Sequence, residues 1–165
     1  MCNNSHVFLQ NECVFVFKLV KSIKKVNNMA TFHEIDGTTL NYRVGEKLKE
    51  LLKMPEWAHY VKTGHHNETF PEQVDWWYVR GAAILRMVAL RGPLGVSRLR
   101  KKFGNKKNRG HKPEKKFISG GKIIRTLLQQ LTSTGYIVNA EKGSRKGKIL
   151  TPKGESFLNS VAKEL

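Results

Sequence analysis

From Leu40 to Lys53 the apolar residues Leu40, Val44, Leu48, Leu51 and Leu52 recur at helical spacing with lysine and glutamate between them, which predicts an amphipathic helix. Pro55 stands where it can open a second, short helix through Trp57 and Val61, ended by Gly64; residues 65–71 then read as loop. Asp75 is the expected N-cap of a helix running to about Arg91, where Gly92-Pro93 stops it. Its run WWYVRGAAILRMVAL is apolar or small almost all the way round, so this helix should be enclosed by others at the centre of the fold. Val96 to Phe103 predicts a short helix and is followed by a charged loop. Ser119 should cap a helix from about Gly120 to Thr134, with a stripe of Ile123, Ile124, Leu127, Leu128 and Leu131 opposite Lys122, Arg125, Thr126, Gln129 and Ser133. Gly135 follows as C-cap, Tyr136 to Ala140 reads as a strand, Gly143 to Gly147 as a basic turn and Lys148 to Leu150 as the returning strand. Thr151 and Pro152, as N-cap and first helical residue, restart a helix that turns Phe157, Leu158 and Val161 inward.

The order helix, helix, helix, hairpin, helix is that of a winged helix-turn-helix. The fold class expected is mainly α, a winged-helix-like domain with a C-terminal β-hairpin and an added N-terminal helical segment. At 165 residues, 39% hydrophobic with three Trp and eight Phe, the chain can bury a real core, and a single domain over residues 29–165 is expected. Residues 1–28 differ. Val14 to Val20 is apolar, but no cationic start precedes it and no small-residue cleavage site follows. Lys18, Lys21, Lys24 and Lys25 against the single acid Glu12 leave a mitochondrial presequence conceivable, although arginine is absent. The simpler expectation is that Met29-Ala30 is the start of the domain and that residues 1–28 are a leader or a disordered extension.

Charge changes the picture more than composition does. Between Arg98 and Arg125 stand Arg98, Arg100, Lys101, Lys102, Lys106, Lys107, Arg109, Lys112, Lys115, Lys116, Lys122 and Arg125, opposed only by Glu114, so this segment carries +11 of a net +17. Gathering that charge costs self-repulsion unless a polyanion neutralises it. A membrane surface is the competing polyanion, but membrane-binding basic segments interleave bulky apolar residues, and Gly104 to Lys116 offers glycine, asparagine, histidine and proline instead. Nucleic acid is the expected partner. Arg145 and Lys146 add a basic tip to the C-terminal hairpin, and the Lys122, Arg125 and Gln129 face is composed like one that reads nucleic acid, though an ordinary solvated helix surface has the same composition. Within the central helix Arg80 shares a face with Trp76, Ala83 and Met87, so it is either buried against a carboxylate or reaches past the core to a phosphate. Arg86 completes the set of expected nucleic-acid contacts.

Chemistry of other kinds is not expected. Gly120-Gly121-Lys122 lacks the upstream glycine and the Ser/Thr of a phosphate-cradling loop. His65-His66 has no cysteine nearby, and adjacent residues point apart. Cys2 and Cys13 make neither a disulfide framework nor a C-x-x-C pair. The expectation is therefore a non-enzymatic protein with no cofactor, no metal, no small-molecule substrate and no membrane association.

Several segments resemble one known family in the right order: Pro55-Glu56-Trp57, the run from Trp76 to Gly92, the basic FGNKKNRGHKP from Phe103 to Pro113, and the spacing P-x(9)-I-x-R-x-L-L-Q-x-L from Pro113 to Leu131. From Leu40 onward the chain resembles the small-subunit ribosomal protein nineteen family of archaea and eukaryotes, which is unrelated to the bacterial protein of that number. It departs at Gly120, where the family prefers a small polar residue or alanine, and at Thr132, where it prefers an acid. The resemblance implies a winged-helix-like protein in the head of the small subunit. It further implies contacts with ribosomal RNA and neighbouring ribosomal proteins, assembly factors as possible partners, and a part in maturing the small-subunit precursor RNA. The location implied is cytoplasmic, and nucleolar during assembly in a eukaryote. The alternative from the fold order alone is a winged-helix DNA-binding transcription regulator. Such proteins join their second and third helices by a tight turn, whereas some fifteen basic-rich residues intervene here.

Overall fold

The computed structural model describes residues 31–142 and 145–165. The expected leader, residues 1–28, and Gly143-Ser144 of the expected basic turn lie outside the described residues.

Helix α1 spans Gly37–Leu48 and opens at Asp36, whose carboxylate accepts hydrogen bonds from the Thr38 and Thr39 amides at 3.0 and 3.2 Å. Those bonds hold the Asp36 carboxyl below its usual pKa. The helix starts and ends earlier than the apolar spacing predicts. Pro55 disfavours helical geometry just ahead of itself, and the chain leaves α1 through a turn that exposes Leu51 and buries Leu52. The expected second helix is a single 3-10 turn, Glu56–Tyr60, with Pro55 at the N-cap position, and Gly64 does not end it.

Helix α2, Trp76–Arg91, is the central element, with Trp76, Trp77, Gly81, Ala82, Ile84, Leu85 and Val88 buried. Asp75 precedes it without capping it; its carboxylate accepts instead from Lys49 Nζ at 2.6 Å, tying α2 back to α1. Helix α3 covers Val96–Lys102. The basic segment expected as a loop is a hairpin of β1, Asn105–Arg109, and β2, Lys112–Phe117. Its sequence carries no apolar alternation because neither face enters the core. What pairs the strands is backbone hydrogen bonding and a turn at Gly110, whose φ of +70° suits glycine. The register slips by one residue between Lys107 and Arg109, which places Pro113 at a bulge, where a missing N–H does no harm.

Helix α4, Gly121–Ser133, buries the expected stripe of Ile123, Ile124, Leu127, Leu128 and Leu131. Ser119 is not its cap. Gly120 occupies that position, and the buried Ser119 hydroxyl donates to the Thr63 carbonyl at 2.9 Å. Strands β3, Ile137–Lys142, and β4, Arg145–Leu150, run further than expected, with Ile137 opposite Leu150. Leu94 joins β4 as an isolated bridge, exchanging both hydrogen bonds with Lys148 at 3.0 and 3.1 Å. Helix α5, Pro152–Lys163, is capped by Thr151 as expected. Trp77, Leu40, Leu48, Ile84, Leu85, Leu127, Leu131 and Leu158 are among the largest fully buried side chains of one core shared by α1, α2, α4 and α5. The architecture is thus mainly α and winged-helix-like, with a second hairpin inserted between α3 and α4.

Candidate nucleic-acid interface

The inserted hairpin gathers most of the charge. Paired residues of antiparallel strands share a face, and alternate residues change face. Lys106 stands opposite Lys116, and Lys107 opposite Lys115. Like charges in directly opposed positions are destabilising, and the acid near them does little to relieve this. Lys106 Nζ lies 3.8 Å from Glu114, but both side chains are well over half exposed, so the pair contributes little. Arg109 and Lys112 extend the same positive surface at the turn, where both are exposed.

The root of this hairpin is held firmly. A Cβ on Gly104 would stand only 2.2 Å from the Phe117 carbonyl oxygen, so the two strands can converge there only through glycine. Arg100 Nε donates to the Ser119 carbonyl at 3.0 Å, and the Ser119 amide donates to the Arg100 carbonyl at 3.1 Å. Ser119 also bridges Gly64, while the Gly120 amide donates to Thr63 O at 2.9 Å. On the face of Lys107, Lys115 and Phe117, the His65 ring meets Phe117 edge-on at 4.9 Å, and its Nε2 lies 3.5 Å from Lys107 Nζ.

At the start of α4 the guanidinium groups of Arg100 and Arg125 flank Gly121; a Cβ there would lie 3.3 and 3.2 Å from them. The first turn of α4 contains no acid, so these cations crowd the positive end of the helix dipole, an arrangement that favours an anion. Lys122 Nζ stands 4.6 Å from the Trp57 ring centre, and Trp57 packs edge-on against Trp77 at 5.6 Å. Gln129 is exposed further along α4.

The other expected contacts are placed differently. Arg98, Lys101 and Lys102 are exposed on α3, where with Arg91 they rim a shallow cleft of about 460 Å³ floored by Met87, Leu94 and Leu99. Lys146 is exposed on β4, and the Arg145 side chain lies outside what the structure describes. Arg86 is not brought to the hairpin. Its guanidinium packs over Gly37 at the start of α1, and its buried Nε has no hydrogen-bond partner among the described residues.

Arg80 meets no carboxylate among the described residues. Its guanidinium covers the Phe103 ring at 4.5 Å, and burial holds its pKa below the usual arginine value. His66 is depressed by its own burial and, secondarily, by the Arg80 charge. Phe103, Gly104 and His65 were not singled out as interface residues from the sequence. The Phe-Gly dipeptide entering the basic run is a local signal for Phe103 and Gly104, and His65 reaches the hairpin only through the fold.

Among the described residues, no group of His, Cys, Asp or Glu is placed to hold a metal ion. Within the same residues, no helix is long and apolar enough to cross a membrane.

The family model for ribosomal protein S19e matches residues 31–165. The small ribosomal subunit protein eS19 of Aeropyrum pernix is 40% identical over 136 residues, covering 80% of this chain and 87% of the relative. The protein of the same name from Haloarcula marismortui is 37% identical over 143 residues, 83% of this chain and 92% of the relative. That from Emericella nidulans is 41% identical over 113 residues, 68% and 74% respectively. With the family model matched across all the described residues and the relatives matched over most of their own length, this chain belongs to the ribosomal protein S19e family, whose members are structural proteins rather than enzymes.

Proposed function

We propose that the chain is a structural constituent of the small ribosomal subunit, that it binds ribosomal RNA in the subunit head, and that it is needed for maturation of the small-subunit precursor RNA. The observation that carries the RNA-binding part is the pair of opposed lysine couples, Lys106 with Lys116 and Lys107 with Lys115, on a hairpin with a firmly held root. Alone, those couples repel; against phosphates from neighbouring RNA helices the same spacing becomes favourable. Arg100, Arg125, Lys122 and Gln129 would extend the contact along α4, and the irregular outline of hairpin plus helix suits folded RNA better than a regular major groove. Neighbouring ribosomal proteins complete the list of expected partners, and the location that follows is cytoplasmic, with a nucleolar stage in a eukaryote.

The test is a sucrose gradient of a cell lysate combined with analysis of precursor RNA. The tagged chain should sediment with small subunits, and its depletion should cause small-subunit precursor RNA to accumulate. Sedimentation at the top of the gradient, with DNA fragments recovered on pull-down, would favour a winged-helix regulator instead.

A further inference from the structure

Beside the root of the inserted hairpin lies a cleft of about 550 Å³, the size of a small-ligand site, lined among others by Asn67, Thr69, Phe70, Trp76, Arg80 and Phe103. We propose that it receives one unpaired nucleotide of the bound RNA, the phosphate on Arg80 and the base against Phe70. This deepens the RNA-binding reading and rests on it.

Three observations point to such an occupant. Arg80 is a largely desolvated cation with no carboxylate and no hydrogen-bond acceptor among the described residues; its guanidinium lies over the Phe103 ring, and the nearby His66 ring feels its charge as a cause of its own lowered pKa. An arginine fork stacked on an aromatic ring still has its N–H edge available, and that edge matches phosphate oxygens. Phe70, on the wall of the same cleft, is 64% exposed, an unusual position for a phenylalanine and one that presents a ring for base stacking. The cleft is also continuous with the basic surface, because Phe103 forms its wall and the chain passes from there through Gly104 directly into β1. Glu72 stands on the cleft wall but is exposed and makes no ion pair with Arg80. An acidic peptide would satisfy Arg80 but would leave the exposed ring without a flat partner, so a nucleotide fits both halves of the site.

The experiment uses the full chain and a single-stranded oligoribonucleotide carrying 4-thiouridine, photo-crosslinked and mapped by mass spectrometry. Crosslinks should fall on peptides containing Phe70 or Trp76, and Arg80→Gln should reduce them about tenfold, the effect expected when one stacked base loses its anchor. Phe70→Ala, at an exposed position that folding does not depend on, should do the same and serves if Arg80→Gln lowers the melting temperature. Combined substitution of Lys106, Lys107, Lys115 and Lys116 by Gln should weaken overall binding while the remaining complexes still crosslink in the cleft. Binding that depends on the hairpin but never crosslinks the cleft, or crosslinks untouched by either cleft variant, would overturn the proposal and leave the RNA-binding reading standing. So would a poly-glutamate peptide that displaces the crosslinks at concentrations where it leaves hairpin-dependent binding intact. No RNA binding at all would remove both readings.

Discussion

Trp77 has no exposed surface, and its indole N–H donates to Gln130 Oε1 at 3.3 Å, while the Gln130 amide donates to the Lys53 carbonyl at 2.6 Å. One side chain thus joins α2 to α4 and to the turn after α1. Trp77→Ala should cost roughly 3–5 kcal/mol in urea denaturation, and Trp57→Ala, at a half-buried ring, distinctly less. His66 supplies a pH signature. Its pKa is lowered in the folded state, so between that value and the ordinary 6.5 the unfolded chain binds more protons, and stability should fall as pH drops through this window. His66→Gln should flatten the pH dependence of the melting temperature there; an unchanged profile would assign the dependence to other groups. At Thr132 the hydroxyl accepts from Lys148 Nζ at 2.9 Å, the contact that an acid at this position would turn into an ion pair. Thr132→Glu should therefore raise stability by about 0.5–1 kcal/mol, an increment that added salt reduces.

Elements differed in how far their patterns disclosed them. The α4 stripe, the glycine after it and the Thr151-Pro152 start of α5 were all legible, because each reflects local chemistry: apolar spacing, a positive φ at Gly135, a hydroxyl cap. Asp75 stands at the N-cap position the sequence indicates, but its carboxylate goes to Lys49 instead of capping α2, and the cap of α4 falls on Gly120 instead of Ser119, whose hydroxyl goes to Thr63. The inserted hairpin was not legible, since strand prediction rests on alternation toward a core and both its faces look outward. Its charge pointed to the site while its composition concealed the structure that presents it. Replacing Lys115 and Lys116 together by Glu converts both opposed couples into ion pairs. The hairpin amides should then exchange hydrogen more slowly, while RNA affinity falls steeply. A variant that binds RNA as before would show that these lysines never meet phosphate.

Over residues 31–165 the charge is divided. Residues 31–75 carry eight acids and five bases, and residues 76–165 carry four acids and twenty-one bases. The chain therefore has one part suited to polyanions and another that basic neighbours can approach. Changing Lys106, Lys107, Lys115 and Lys116 to Gln should make the slope of log affinity against log salt shallower by about 0.7–0.9 for each phosphate no longer neutralised, whereas neutralising Glu46 and Glu50 on the acidic part should leave it unchanged. The β1–β2 hairpin also forms a two-stranded sheet of its own, so the outer edge of each strand is open to pairing with another chain. Edge-to-edge addition of a second copy would bring lysine rows together a strand spacing apart, which the charge forbids. On the RNA-binding reading proposed above, the same repulsion that favours phosphates also disfavours edge-to-edge polymerisation of copies that carry no RNA. Neutral variants of the arm should accordingly be more prone to aggregation at high concentration, even where their melting temperatures rise.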